Sequence, residues 1–429
     1  MARIVITTWG SFGDVNPYLA LGLGLRERGH DVVLCMPPFY EPVVRATGLG
    51  FAPGAPDADP ALDRDLVRKC MHPRHGAEAI FREVLIPALG EAHAQLTAAV
   101  QGADLVVTHP AALAAPIVVE QQRLTWVSTI LSPLNFMSAY DPILPPMAPW
   151  LRHIPYPVHV RFADWLAAGG RQVAARWMAP VQAFRASLGL PPTANPMFEG
   201  MHSPYAVLAL YSQVFGGPYP DYPRQVTITG QLRHDHAHGA ALPPALQAFL
   251  DEGEPPVVFT LGTSAVEVAG RFWDESITAV TALGVRGVVL AGREAAPRLA
   301  QQAPREVLVL ESAPHSQLFP RAAAVVHQCG MGTLGTALAA GVPQLAVPYA
   351  NDQPDNAWRL ERLGVARTLY PSRYRAGRVV TELRALLGEA RYGRRAAEIA
   401  DVVNAEDGVR AACDAIERVL AAKNADQRF

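Results

Sequence analysis

Two runs of alternating apolar strands and amphipathic helices, separated by one polar stretch, constrain this chain more than any other feature. The first run begins at once. Arg3–Thr8 (RIVITT) is a β-branched segment that reads as a strand buried on both faces. A glycine-bearing turn follows, Gly10-Ser11-Phe12-Gly13-Asp14, and then a helical stretch opened by Pro17 and stopped by Gly29. Asp31–Met36 is a second strand, and Asp104–Thr108 and Leu124–Ser128 read as further ones. The alternation restarts with strand Val257–Leu261, helix Phe272–Leu283, and strands Gly287–Ala291, Val307–Leu310 and Ala324–His327. Between the runs, Gln231–Pro244 is polar and then Pro-rich, as a linker is.

Strand–helix–strand units of this kind build parallel sheets covered on both faces. The expectation is an α/β chain of two facing, doubly wound, Rossmann-like domains, residues 1–232 and 233–404. A C-terminal helix, from about 405 to 429, is expected to pack back on the first domain. Ligands of such sheets bind at the carboxyl ends of the strands, so the interdomain cleft is the expected site. Residues 132–192, rich in proline and aromatics and with an amphipathic helical stretch at Arg161–Leu188, read as an insertion at its mouth.

Composition narrows the function. A net charge of −2 over 429 residues, with no clustered Lys/Arg, argues against nucleic acid as a partner. The four cysteines (Cys35, Cys70, Cys329, Cys413) lack metal-ligand or disulfide spacing. They read as reduced thiols of a cytoplasmic protein. His234, His236 and His238 sit in a polar linker without a set of carboxylate or cysteine partners around them, so no metal is expected. The first residues make no signal peptide, and no apolar run is long enough to span a bilayer, which leaves water or a membrane surface as the working place.

The segment Ala322–Asn356 carries the chemistry. A buried strand ends at His327, Gly330-Met331-Gly332-Thr333 turns into a helix read as Leu334–Ala340, and Gly341 ends it. Two glycines let backbone amides approach a ligand, and the helix N-terminus favours negative charge. With the Thr333 hydroxyl and the His327 imidazole as donors, this is a diphosphate cradle that needs neither Lys nor metal ion. A Gly-x-Gly turn that merely packs helix on sheet is the plainer alternative.

His-x-x-Gly-x-Gly-Thr, Ala-Leu-x-Ala-Gly-Val-Pro and Asp-Gln-x-x-Asn-Ala-x-Arg together resemble the donor signature of the family 1 glycosyltransferases with the GT-B fold. Gly-Ser-Phe-Gly-Asp-Val-Asn-Pro resembles their acceptor-side loop, and the chain also resembles the rhamnosyltransferase group of rhamnolipid biosynthesis. The resemblance implies that His327, Gly330, Gly332 and Thr333 hold the donor's diphosphate. It implies that Asp352 and Gln353 bind the sugar hydroxyls, that Gly262, Thr263 and Ser264 face them from the other side, and that Ala313 and Pro314 lie at the nucleobase. UDP-sugar members carry a ribose-binding Glu where this chain has Gly335, which favours a dTDP-sugar donor.

Glycosyl transfer from an activated donor needs one base for the acceptor hydroxyl and charge stabilisation on the departing diphosphate. Asp14, in the loop after the first strand, suits the base; it also suits the N-cap of the following helix. His109, after Asp104–Thr108, stands at the same sheet end and can polarise Asp14, orient the acceptor, or be structural. Phe12, Phe81, Leu85, Phe136 and Tyr140 are candidates for an apolar acceptor site, with Trp150, Tyr156 and Trp165 nearby and some of the set expected in the core. The expected reaction is inverting transfer of a sugar, a deoxysugar such as L-rhamnose, to a lipid or small apolar acceptor. A UDP-glucose-type enzyme acting on a polyketide or phenolic and a nucleotide-sugar epimerase are the alternatives. A nicotinamide dehydrogenase is disfavoured, because Gly-x-Gly-x-x-Gly is absent after the first strand.

Overall fold

The computed structural model describes residues 1–57, 64–145, 148–234, 242–263 and 265–426. Its strands are apolar on both faces, which only a sheet with helices above and below can accommodate. Among the described residues, the first sheet has seven strands: β1 (Arg3–Thr7), β2 (Asp31–Met36), β3 (Gly50–Pro53), β4 (Leu105–Thr108), β5 (Trp126–Ile130), β6 (Val207–Ala209) and β7 (Val226–Ile228). Their order is β3-β2-β1-β4-β5-β6-β7, every pair parallel. The second has six: β8 (Val257–Thr260), β9 (Gly287–Leu290), β10 (Val307–Leu310), β11 (Ala324–His327), β12 (Gln344–Ala346) and β13 (Ala366–Thr368). These run β10-β9-β8-β11-β12-β13, again all parallel. Strand order reverses beside β1 and beside β8, opening a crevice at the carboxyl ends of each sheet.

The helices that shape the site are α1 (Phe12–Glu27), α2 (Arg64–Cys70), α3 (Leu89–Ala99), α4 (Tyr156–Trp177), α5 (Ala179–Ser187), α6 (Met331–Ala340), α7 (Gln353–Leu363) and α8 (Gly408–Asp426). Three stretches depart from the sequence expectation. Helix α1 starts at Phe12, with Ser11 as N-cap, so Pro17 lies inside it rather than opening it. The stretch expected at Arg161–Leu188 starts at Tyr156 and is two helices, because Pro180, lacking an N–H, fits the first turn of a new helix and not the interior of a continuing one. Helix α6 begins at Met331, with Gly330 as N-cap, which puts Gly332 and Thr333 in its first turn.

The halves are tied together in several places. Helix α8 lies on α1, and its Ala412, Cys413, Ile416 and Leu420 share a core with Leu21 and Leu25. One apolar cluster takes Ile130, Phe136 and Phe215 from the first half and Leu334, Leu338 and Leu360 from the second. Val67 of α2 and the following Met71 pack into the core of the second sheet. Buried Arg359 pairs with Asp141 and, at 2.7 Å, with Asp355, while Arg362 reaches Asp141 at 2.9 Å.

Candidate active site

The N-terminal turns of α1 and α6 meet across the crevice, so close that a Cβ on Gly332 would lie 3.6 Å from the Cα of Gly13. The first amides of a helix have no carbonyl of their own to bond. Those of Met331, Gly332 and Thr333 therefore form an anion-favouring end beside the first domain. Thr333 is buried, and Thr336 donates its hydroxyl to the Gly332 carbonyl at 2.9 Å.

His327 does not belong to this surface, contrary to the sequence expectation. It is fully buried. Its Nδ1 accepts the Cys329 N–H at 3.1 Å, which leaves Nε2 to donate to Gln344 Oε1 at 2.8 Å. Burial pushes its pKa down to about 4, so the ring is neutral and its hydrogen bonds are spent on holding the turn. The Gln328 carboxamide lies between the two glycine turns, and a Cβ on Gly262, whose φ is +59°, would come within 2.2 Å of Gln328 Nε2. Gln328 is 3% exposed, and its Oε1 has no hydrogen-bond partner. Gly262 and the exposed Thr263 follow β8 as expected; Ser264, like His236 and His238, lies outside the described residues. Ala313 and Pro314 follow β10 at the same sheet end.

Asp352 immediately precedes α7. Its Oδ2 accepts the Asn356 side-chain amide at 2.7 Å, and its pKa is pushed up to about 7 by burial, with the Asp14 charge adding. Gln353 is committed locally, its Oε1 accepting the amides of Tyr349 (2.9 Å) and Ala350 (3.2 Å), so only its NH₂ remains for a ligand. Asn356 stands in the Asp-Gln-x-x-Asn signature, but the sequence alone gives it no role. It also donates to the Cys329 carbonyl (2.9 Å) and accepts from Ser132 Oγ (3.3 Å), joining the donor turn, Asp352 and the first domain. Its spacing four residues after Asp352, on one helix face, was the available signal.

Opposite, Asp14 is the third residue of α1 rather than its N-cap. Its Oδ2 accepts Ser11 N–H (2.8 Å) and Ser11 Oγ–H (3.0 Å), closing a capping box. The carboxylate folds back over Gly10, where φ is +134° and a Cβ would come within 2.4 Å of Oδ2. The second oxygen, Oδ1, stands 3.8 Å from Nε2 of the buried His109. This is one carboxylate oxygen held by its own helix and one presented beside an imidazole, facing an anion-binding helix end.

Comparison with known proteins shows the family of the chain. Residues 4–130 match the glycosyltransferase family 28 N-terminal domain, and residues 276–411 match the erythromycin biosynthesis protein CIII-like C-terminal domain. The chain is 32% identical to an O-mycaminosyltylonolide 6-deoxyallosyltransferase of Streptomyces fradiae, over 97% of both chains. The chain belongs to the family 1 glycosyltransferases. A sterol 3-beta-glucosyltransferase of Aspergillus terreus is 29% identical over 97% of this glycosyltransferase, which spans 30% of that relative's length. The solved glycosyltransferase VinC, in complex with dTDP, shares the fold with a TM-score of 0.68 at 20% identity, covering 98% of this chain and 100% of that one.

The acceptor side of the glycosyltransferase departs from expectation in part. Phe136 is core: it is 8% exposed and stacks on Tyr222 at 4.0 Å within the interdomain cluster, because the chain folds back through Pro133 onto β6. Tyr140 is 53% exposed, and its carbonyl accepts the Tyr156 hydroxyl at 3.1 Å. Phe12 sets its ring edge-on to Tyr40 at 5.2 Å, at the start of α1. Leu85 is buried and, with Leu89 of α3, Thr8, Trp9, Pro56 and Leu113, walls a recess beside the end of β1; Phe81 packs on the same apolar cluster.

Proposed function

We propose that this glycosyltransferase moves a 6-deoxyhexose, the class to which L-rhamnose belongs, from a dTDP-sugar to a hydroxyl of an apolar natural product. Asp14 takes the acceptor proton, the alkoxide attacks the anomeric carbon from the side opposite the nucleotide, and inversion results. The first-turn amides of α6 and the Gln328 carboxamide receive the charge that builds on the departing diphosphate. Asp352 and Gln353 meet the sugar, and buried Asn356 holds Asp352 in place.

The observation that carries this reading is the opposition of two elements across one crevice, the Asp14–His109 pair and the free amide end of α6. The apolar side chains of Leu85, Leu89 and Leu113 clustered beside the end of β1 support an apolar acceptor. The Streptomyces fradiae relative is named for a 6-deoxy sugar and a natural-product acceptor, and VinC was solved with dTDP. Gly335 supports a donor without a ribose-binding carboxylate. Its missing side chain also has a structural reason, since a Cβ there would come within 1.8 Å of the Gln231 carboxamide, which donates to the Met331 carbonyl. Transfer of glucose from UDP-glucose is the second reading, favoured by the Aspergillus terreus relative's name.

Thermal-shift titration with dTDP, UDP and GDP tests the donor, and mass analysis of products from dTDP-sugars with apolar aglycones tests the reaction. Selective stabilisation by dTDP and a glycosylated aglycone are expected. Preference for UDP would replace the donor, and turnover of donor alone into an epimer would overturn the transfer reading.

A further inference from the structure

Helix α4 packs Tyr156, Leu166 and Trp177 on buried clusters but turns other bulky apolar side chains to solvent. The face it buries carries His159, Ala163, Ala167 and Ala174. Val158, Phe162 and Trp165 are instead 41%, 56% and 75% exposed. These positions, with Gly169 and the exposed Val173, advance in steps of three and four and so form one stripe along the helix. Trp150, just before the helix, is 61% exposed. A helix whose large apolar groups served its own fold would bury them and expose its alanines. Single exposed apolar residues are ordinary, but several aligned in a ridge along one helix, two of them aromatic, mark an interaction site.

The chemistry of the ridge selects its partner. Exposed Arg161 and Arg176 lie at its flanks, with Asp164 as the exposed acid on the helix. Tryptophan and phenylalanine between arginines is the composition of helices that lie in the headgroup region of an anionic bilayer. The ridge projects from one helix, whereas protein partners anchor their contacts in well-packed pockets. No helix among the described residues is long and apolar enough to cross a membrane, so a surface contact is the form open to them.

We propose that α4 docks this enzyme on anionic lipid surfaces, with Trp150, Phe162 and Trp165 among the headgroups and Arg161 and Arg176 against lipid phosphates. The same stretch of chain covers the acceptor side. Met178 and Val181, between and within α4 and α5, pack on the cluster containing Leu85 and Leu89 that walls the recess. A docked enzyme thus holds its acceptor recess near a phase in which apolar acceptors concentrate.

The test uses the full chain with vesicles of phosphatidylcholine mixed with phosphatidylglycerol. Co-sedimentation and a blue shift of tryptophan fluorescence are expected. F162S/W165S should lower the bound fraction by at least about tenfold, with melting temperature and turnover of a water-soluble acceptor unchanged, since both side chains are exposed. R161E/R176E should abolish the preference for anionic vesicles. Wild-type chain that stays in the supernatant overturns the proposal. So does a wild-type dimer that F162S/W165S splits, because the ridge would then belong to a second copy.

Discussion

Nε2 of His109 stands 3.8 Å from Oδ1 of Asp14, while the ring's other nitrogen accepts the Ala111 N–H at 2.9 Å. That second bond leaves the proton of the neutral ring on Nε2, aimed at the carboxylate. Tyr18 lies edge-on to the imidazole at 5.6 Å, and its hydroxyl bonds Thr129, so the ring is held on two sides. Capping therefore occupies one oxygen of Asp14 and leaves the other beside the imidazole.

Asp14→Asn separates the two uses. An Asn side chain still accepts the Ser11 amide, so the melting temperature should stay close to wild type, whereas kcat should fall at least about a hundredfold. Turnover near wild type would remove Asp14 from the chemistry.

His327 and Gln328 should respond oppositely to alanine. His327→Ala strands the Cys329 amide and Gln344 in the core and should cost about 1–3 kcal/mol of stability, read by denaturant unfolding. Gln328→Ala should leave stability near wild type but weaken donor binding and slow turnover, read by calorimetry with dTDP and by kcat. Unchanged dTDP affinity in Gln328→Ala would return the cradle to backbone amides alone.

Asp352 gives the fold a pH dependence of definite sign. Its carboxyl is held up to about 7, first by burial and also by the Asp14 charge, while the Asn356 hydrogen bond opposes the rise. A carboxyl that keeps its proton more tightly when folded lends stability at low pH and loses it as pH climbs from about 4 to about 7. Melting curves of wild type and Asp352→Asn over that window should diverge, the variant declining less. Parallel curves would show that Asp352 ionises normally.

Gly335→Ala should cost about 1–3 kcal/mol, because the added methyl meets the Gln231 carboxamide. Adding Gln231→Ala should recover most of that loss, helped by alanine's advantage over glycine in a helix, about 1 kcal/mol. Additive effects in the double-mutant cycle would disprove the contact.

Much of this was legible in local pattern. Strands Asp31–Met36, Val307–Leu310 and Ala324–His327 and helix Phe272–Leu283 lie where their sequences predict, because β-branched runs and helical periodicity act through near neighbours. The glycine turn at Gly330 was legible for the same reason. The capping box at Ser11 and Asp14 was missed although both residues were in view, since Pro17 is the louder helix-opening signal.

What the sequence determined by itself is the architecture of alternating strands and helices and the two loops that meet in the crevice. Only the tertiary structure decided which side chains enter that crevice. Neighbouring residues leaving a strand point to opposite sides, so the His327 imidazole turns toward Gln344 and the Gln328 carboxamide lies between the Gly262 and Gly330 turns. Gln231 over Gly335, Ser132 on Asn356 and Asp141 on Arg359 join residues far apart along the chain. Those pairings come from how two sheets face each other, and local spacing carries no record of that.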